Sequence, residues 1–152
     1  MLVMDVDGTL TDGKINISEN GEIFKSFSVK DGYGIKLLIE HNIIPVIITG
    51  RKSKIIELRA QELHILEVYQ DIADKKLKLM EVATKYDLDL SQIAYIGDDL
   101  NDLDAISCVG ISYAPADAVL EVKKSVKCVL QSEGGNGAVR ECIDHILDLL
   151  KG

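Results

Sequence analysis

Two aspartates separated by one residue follow the first apolar run of the chain, in the segment DVDGTLT at residues 5–11. The run at residues 2–6 is predicted to be a buried parallel strand. At the carboxyl end of such a strand, the carboxylates of Asp5 and Asp7 can both reach one phosphoryl group. A polar turn with an Asx bend is the alternative interpretation of the pair on its own. The chemistry of the other strand ends decides between the two.

Three further groups with suitable chemistry occur later in the chain. Thr49 ends the second clear apolar run, where its hydroxyl can donate to a phosphoryl oxygen. Asp98 and Asp99, with Asp102, follow a third run, and clustered carboxylates suit an oxygen-liganded cation such as Mg²⁺. Lys75 opens a predicted helix. Each group has a plainer interpretation. Thr49 could belong to a turn, the acids could complement a helix dipole, and Lys75 could be a solvated surface lysine.

The elements that would position these groups alternate along the chain. The predicted strands cover residues 2–6, 43–49, 93–96, 110–113 and 126–130, and the predicted helices cover residues 33–41, 53–63 (with Ser53 as N-cap), 75–86 and 138–150. The pattern predicts an α/β fold with a doubly wound parallel sheet. Residues 14–29 are predicted as a β-hairpin inserted after the first strand, with its turn at residues 19–21. No linker interrupts the chain, so we predict one domain over residues 1–152.

Composition excludes several classes of partner. The net charge of −8 and the absence of Trp argue against nucleic-acid binding. Three separated cysteines without a CxxC motif argue against a disulfide framework or a structural zinc site, and they favour a reducing cytoplasm. We expect no signal peptide and no membrane span, because neither a charged leader nor a long apolar run precedes Asp5.

The four groups occur in the order of the four motifs of the haloacid dehalogenase superfamily, which the chain resembles over almost its whole length. The resemblance implies that Asp5 is the nucleophile, Asp7 is the general acid and base, and Thr49 and Lys75 hold the phosphoryl oxygens. It also implies that Mg²⁺ binds the carboxylates of Asp5 and Asp98 and the carbonyl of Asp7. Mg²⁺ and Lys75 would offset the repulsion between these acids and a phosphate dianion.

The first motif carries a second acid at position 7, and in this it resembles the motif of phosphatases and phosphomutases rather than that of dehalogenases. The segments between the motifs are short, and in this the chain resembles superfamily members that have no cap domain. Within the superfamily, the chain is most similar to the 3-deoxy-D-manno-octulosonate 8-phosphate phosphatases, in residues 5–13, 27–35, 49–52, 97–100 and 134–141. That family resemblance implies a homotetramer in which hairpins associate and neighbours close each other's sites, and a role in lipopolysaccharide biosynthesis.

The same resemblance implies the substrate contacts and leaves the sugar open. The implied contacts are Asp7, Ser28, Val29, Lys30, Asp31, Gly32, Lys36, Gly50, Arg51, Arg59 and Lys75. Lys36 stands where many relatives carry arginine, and Arg51 and Arg59 are surface charges in the plainer interpretation. Nine-carbon relatives leave a deaminoneuraminate or N-acylneuraminate 9-phosphate as the alternative substrate.

Other interpretations remain open at this point. Residues 134–137 (GGNG) could form an anion nest or only a flexible start to the last helix, and the region up to Arg140 could reach a neighbouring site. A receiver domain also forms an aspartyl phosphate, but its lysine comes last, whereas Lys75 precedes the GDD segment. A non-catalytic oligomerising domain is the third alternative, and the intact set of acids, threonine and lysine counts against it.

Overall fold

A six-stranded parallel sheet forms the centre of the structure, a computed structural model that describes all 152 residues. Its strands are β1 (Leu2–Met4), β4 (Pro45–Ile48), β5 (Glu67–Tyr69), β6 (Ala94–Ile96), β7 (Ile111–Ala114) and β8 (Cys128–Val129). A separate antiparallel hairpin consists of β2 (Asn16–Ser18) and β3 (Gly21–Phe24). The helices are α1 (Val29–Glu40), α2 (Lys54–Glu62), α3 (Lys75–Lys85), α4 (Leu103–Ile106), α5 (Leu120–Ser125) and α6 (Ala138–Lys151), with single 3-10 turns at Leu90–Gln92 and Leu100–Asp102.

The sheet is doubly wound, as predicted. Its strand order is β5-β4-β1-β6-β7-β8, and every neighbouring pair is parallel. The chain moves outward from β1 in one direction, then returns to the other side of β1 and moves outward again. The order therefore reverses between β1 and β6, and in open α/β sheets ligands bind at the carboxyl ends of the strands beside such a reversal.

Helices cover both faces of the sheet, and side chains that alternate along β1 contribute to two separate cores. Leu2 and Met4 pack with residues of α1, α2 and α6, whereas Val3 packs with residues of α3, α4 and α5. All three side chains are fully buried, which explains why β1 is apolar at every position. No helix combines the length and the apolar composition that crossing a membrane requires.

The observed boundaries differ from the predicted ones mainly at turns and caps. The first strand ends at Met4 rather than Val6, because the Val6 carbonyl already accepts from the amides of the following turn. The first helix begins four residues earlier than predicted, since the Ser28 side chain accepts a hydrogen bond from the amide of Asp31 and caps it. Ser53 caps α2 as predicted. The four-residue α4 and six-residue α5 were not predicted, because they are too short for a helical pattern.

The predicted hairpin forms and leaves much of its apolar surface in solvent. Ile15, Ile17, Ile23 and Phe24 are 45%, 65%, 57% and 51% exposed. The reversal between its strands occurs before Gly21, whose φ of +113° favours glycine. The hairpin is an antiparallel pair that is not hydrogen-bonded to the central sheet.

The glycine segment before α6 packs against the loop that follows β1. The Gly135 amide donates to the Thr9 carbonyl at 2.9 Å, and a Cβ on Gly134 would lie 1.9 Å from the Gly8 carbonyl oxygen. Further along, the Arg140 amide donates to the Asp31 carboxylate at 2.9 Å. The glycines of this segment therefore allow a close backbone approach to the loop after β1, and its reach to a neighbouring site stays a prediction.

This packing predicts unequal effects for two alanine substitutions in one segment. Gly134→Ala should lower the free energy of unfolding by about 3 kcal/mol or more, because the new methyl group must displace backbone atoms. Gly137→Ala should cost only about 1–2 kcal/mol, the penalty of a left-handed residue. The φ of Gly137 is +101°, and its Cβ would meet only Ser132 at 3.8 Å. Urea unfolding measures both values, and equal losses would contradict the close approach at Gly134.

Candidate active site

The predicted catalytic residues meet at the carboxyl ends of the central strands. Asp5, Thr49 and Asp98 follow β1, β4 and β6, which are adjacent in the sheet. The Asp5 amide still donates to the carbonyl of Ile96, so the chain keeps its strand direction up to the acid. Asp5 is 5% exposed and Thr49 is 1% exposed. The sheet therefore presents both side chains to one small volume from which most water is excluded.

A hydrogen-bonded loop fixes the segment after Asp5. The Thr11 hydroxyl accepts from the amides of Gly8 and Gly13, each at 3.2 Å. A Cβ on Gly8 would lie 2.0 Å from Oδ2 of Asp98, so only glycine permits the Asp98 carboxylate to approach this loop. The Thr9 hydroxyl donates to the other Asp98 oxygen at 3.2 Å. The first and fourth sequence motifs are thus in direct contact.

Lys75 lies at the first position of α3 and connects two buried acids. Asp74 caps the helix, and the Lys75 ammonium lies 2.8 Å from Oδ1 of Asp5 and 2.8 Å from Oδ1 of Asp102. The lysine side chain is only 1% exposed. Burial alone would lower the pKa of Lys75, but the carboxylates of Asp5 and Asp102 outweigh it and raise that pKa above its ordinary value. Lys75 is therefore a permanent positive charge in the site.

Asp102, which the sequence grouped with the acids suited to a cation, serves mainly as a hydrogen-bond acceptor in the structure. Its two oxygens accept four hydrogen bonds in all: Oδ1 from Lys75 and the Tyr95 hydroxyl, and Oδ2 from the amides of Asp98 and Asp99. Asp102 is fully buried. The only signal in the sequence is the acid four positions after Asp98 in GDDLND. Asp102 holds Lys75 in place and fixes the turn that carries Asp98.

The donors of this site fit a hard divalent cation. Carboxylate oxygens of Asp5, Asp98 and Asp102 lie within 4.8 Å of one another. Burial, followed by the charges of Asp5 and Asp102, raises the pKa of Asp98 to about 8. Burial, followed by Asp102, raises the pKa of Asp5 as well. Since Asp102 is already saturated with hydrogen bonds, Asp5 and Asp98 are the carboxylates left for an ion such as Mg²⁺. The Asp7 carbonyl stays a predicted ligand.

Asp7 reaches the site from the loop after Asp5. Its Oδ1 accepts from Lys25 of the hairpin at 2.5 Å, and its Oδ2 is buried with no hydrogen-bond partner. Gly50 and Arg51 are exposed and directly follow Thr49. The structure therefore brings Asp7, Gly50 and Arg51 to the same sheet edge as Asp5 and Lys75.

The remaining predicted substrate residues form a second group on α1 and α2. Ser28 and Asp31 are engaged in helix capping, and Arg59 pairs with Glu62 and lies over the Phe27 ring at 5.5 Å. Val29, Gly32, Lys36 and Arg59 line a groove of about 720 Å³ between the two helices. The exposed Lys30 follows Val29 in the first turn of α1. No hydrogen bond or ion pair within the chain joins this group to Asp5, Asp7 or Lys75, and its role in substrate binding stays a prediction.

Comparison with known proteins gives a consistent result. Residues 53–142 match the family model of the haloacid dehalogenase-like hydrolases. The chain is 44% identical over 147 residues to the 3-deoxy-D-manno-octulosonate 8-phosphate phosphatase KdsC of Yersinia pestis, an alignment that covers 97% of this chain and 79% of that protein.

Solved structures agree with this similarity. The 3-deoxy-D-manno-octulosonate 8-phosphate phosphatase from Moraxella catarrhalis, in complex with a magnesium ion, a phosphate ion and a KDO molecule, has a TM-score of 0.94 at 39% identity, covering 97% of this chain and 84% of its own. The cobalt-bound deoxy-D-mannose-octulosonate 8-phosphate phosphatase from Haemophilus influenzae has a TM-score of 0.94 at 41% identity, covering 97% of this chain and 86% of its own.

Crowding of the acids predicts that Asp98→Asn stabilises the metal-free protein. The change keeps the side-chain shape and removes a buried acid whose ionisation is unfavourable beside Asp5 and Asp102. The melting temperature should rise by about 2–4 °C for each kcal/mol of relieved repulsion. Adding Mg²⁺ should raise the melting temperature of the wild type and leave that of the variant unchanged. Asp104→Asn, at an exposed acid two residues beyond the cluster, is the control and should keep the wild-type response. A normal Mg²⁺ response in Asp98→Asn would contradict the proposed ligand set.

Proposed function

The chain belongs to the haloacid dehalogenase-like hydrolases, in the family of the 3-deoxy-D-manno-octulosonate 8-phosphate phosphatases. On this basis we propose that it hydrolyses 3-deoxy-D-manno-octulosonate 8-phosphate to the free keto-sugar acid and phosphate, with Mg²⁺ as cofactor. The observation that carries the proposal is the buried contact of Asp5 with Lys75 at 2.8 Å, beside Asp98 at the reversal of the sheet. A carboxylate held by a lysine beside a cation site suits nucleophilic phosphoryl transfer.

We propose that Asp5 attacks phosphorus. Lys75 holds its Oδ1, so Oδ2 is the oxygen available for attack. A bond forms between Oδ2 and phosphorus while the bond from phosphorus to the sugar oxygen breaks, which gives an aspartyl phosphate and releases the sugar. Lys75 and the Thr49 hydroxyl stabilise the phosphoryl oxygens. Bound Mg²⁺ supplies further positive charge for these oxygens.

Asp7 is the proposed general acid and base. Its buried Oδ2 has no partner within the chain and can give a proton to the leaving sugar oxygen. The same carboxylate then takes a proton from the water that attacks the aspartyl phosphate. That step releases phosphate and restores Asp5. Both roles require the Asp7 carboxyl group to face the leaving-group side of phosphorus.

The distal end of the substrate needs its own cation. 3-Deoxy-D-manno-octulosonate 8-phosphate has a phosphate at one end and a carboxylate at the other, and arginine can bind a carboxylate in bidentate fashion. Arg51 is exposed and stands two residues after Thr49. We therefore assign the carboxylate to Arg51. Nine-carbon keto-acid 9-phosphates remain the alternative, and comparison of kcat/KM between the two substrate classes separates them.

The hairpin supports a proposal about assembly. Four apolar side chains on it, Ile15, Ile17, Ile23 and Phe24, are 45–65% exposed, more than a two-stranded ribbon usually leaves in water. The predicted substrate residues on α1 and α2 form no hydrogen bond or ion pair with Asp5 within one chain. We propose a homotetramer joined through the hairpins, in which a neighbour helps to cover the site.

Two organisational proposals complete this function. Residues 1–152 act as one phosphatase domain, because both cores share the same sheet. The protein acts in the cytoplasm, which the three free cysteines support. Fractionation of cells that express the native chain tests the location.

The nucleophile assignment predicts that Asp5→Asn loses at least roughly a thousandfold in turnover, because the carboxylate that forms the intermediate is gone. Acid quenching during turnover of 4-nitrophenyl phosphate should trap phosphate on wild-type protein and none on this variant. Asp7→Asn is the matched comparison, since it keeps the nucleophile and should still become phosphorylated. A rate within roughly tenfold of wild type for Asp5→Asn would refute the mechanism.

The carboxylate assignment predicts that Arg51→Ala lowers kcat/KM for the sugar phosphate by roughly ten- to a hundredfold, the usual effect of losing a charge-assisted contact. The same change should hardly affect 4-nitrophenyl phosphate, which has no distal carboxylate. Lys52→Ala, at the next exposed cation, is the control and should affect neither substrate. Equal losses of Arg51→Ala on both substrates would place Arg51 with the phosphate or the fold.

The assembly proposal predicts that Ile17→Lys dissociates the oligomer, because a charge would enter a buried contact. Light scattering should report tetramers for the wild type and smaller species for this variant. Leu149→Lys is the control: Leu149 is 57% exposed on α6, away from the hairpin, and its replacement should leave the tetramer intact. A fully active wild-type monomer at micromolar concentration would be incompatible with the proposal.

A further inference from the structure

A buried lysine reaches the site from the hairpin. Lys25 directly follows β3, and its side chain is only 2% exposed although much of the hairpin faces solvent. Its ammonium lies 2.5 Å from Oδ1 of Asp7 and 2.9 Å from Oε1 of Glu22. A lysine is almost never this buried unless it is paired, and here both partners are carboxylates. The hairpin is therefore joined to the site by the ion pair between Lys25 and Asp7, in addition to its covalent connection along the chain.

The contact fixes one oxygen of Asp7 and leaves the other free. Oδ1 is bound to Lys25, while Oδ2 is buried without a partner. A carboxylate side chain rotates about two bonds, so an unanchored Asp7 could turn Oδ2 away from the leaving group. With Oδ1 anchored, the orientation of Oδ2 is restricted. Placement of an acid within hydrogen-bond reach of the leaving oxygen is what general acid catalysis requires.

Glu22 continues the connection to a second part of the site. Its Oε2 accepts a hydrogen bond from the Ser53 hydroxyl, and Ser53 caps α2 four residues after Thr49. The Ser53 amide in turn donates to the Gln70 side chain at 2.7 Å. Lys25 is thus linked through Glu22 to Ser53 and Gln70, which belong to the central fold. Such support restricts the position of the ammonium itself.

We propose that Lys25 is a positioning residue of the phosphatase reaction, which orients Asp7 so that its free oxygen faces the leaving group. This inference rests on the proposed function, because it concerns the proton transfer that Asp7 performs. The hairpin then has a role in catalysis that is separate from any role in assembly. Lys25 acts through Asp7 and not on the phosphoryl group.

Leaving-group dependence tests the proposal. 4-Nitrophenolate leaves readily without a proton, whereas phenolate, with a conjugate-acid pKa of about 10 like that of tyrosine, gains much more from an acid. The kcat/KM for each aryl phosphate reports only the steps up to release of the phenol. Lys25→Met should therefore lower kcat/KM for phenyl phosphate roughly tenfold more than for 4-nitrophenyl phosphate, a part of the roughly 10²–10⁴-fold that general acid catalysis contributes.

Two variants accompany this one. Lys14→Met removes a hairpin lysine whose side chain is 80% exposed, and it should leave both values unchanged. Glu22→Gln keeps Lys25 but loosens it, and it should shift the ratio of the two kcat/KM values in the same direction by a smaller factor. Measurement of the melting temperature shows whether Lys25→Met folds. If it does not fold, Glu22→Gln replaces it as the test variant.

The outcomes distinguish a failure of the Lys25 inference from a failure of the proposed phosphatase function. A larger loss on phenyl phosphate in Lys25→Met, or in Glu22→Gln if the former is unfolded, supports a positioning role. Equal losses on both substrates, or no loss, mean that Lys25 only anchors the hairpin and overturn the inference while the proposed function stands. A wild-type protein that hydrolyses neither aryl phosphate in the presence of Mg²⁺ overturns the proposed function and the inference with it.

Discussion

The balance of charge around Lys75 constrains the whole site. Its ammonium lies 2.8 Å from both Asp5 and Asp102, in a region where all three side chains are almost fully buried. A buried carboxylate loses hydration that only nearby cations or hydrogen-bond donors replace. Lys75, Tyr95 and two backbone amides satisfy Asp102 completely. Asp98 receives far less compensation, so the folded chain keeps a poorly compensated buried acid beside Asp5 and sacrifices stability for cation binding.

That balance requires the loops to approach one another closely. Asp98 can lie beside Asp5 only because position 8 has no side chain, and the loop at Gly8 is itself held by the backbone of Gly134 and Gly135. The segment before the last helix therefore supports the geometry of the first motif. Asp31, at the start of α1, binds the first turn of α6 and completes this connection. Hydrogen bonds and close backbone contacts connect the loops on the side of the sheet where α1 and α6 pack, while the hairpin contacts the loop through Lys25 and Asp7.

Sequence reasoning predicted the parts of the structure that depend on local patterns. Apolar runs gave the central strands, and acids, threonine and lysine at their ends gave the candidate nucleophile and cation site. Lys25 was missed because nothing in the hairpin sequence distinguishes it from a solvated lysine, and its burial depends on where the ribbon folds back. The substrate contact of Asp31 stays a prediction, and nothing in the sequence indicated that its carboxylate accepts a hydrogen bond from an amide 109 residues away. Such contacts follow from tertiary packing, which one sequence without its fold does not specify.

The position of β1 at the centre of the sheet has a consequence for biosynthesis. The strand that carries Asp5 is made first, but one of its two neighbours, β6, is made about ninety residues later. Until residues 94–96 leave the ribosome, β1 has an open apolar edge of the kind that promotes aggregation. The nascent chain therefore exposes this edge over more than half of its synthesis, and no product that ends before Asp102 can assemble the charge network on which the reaction depends.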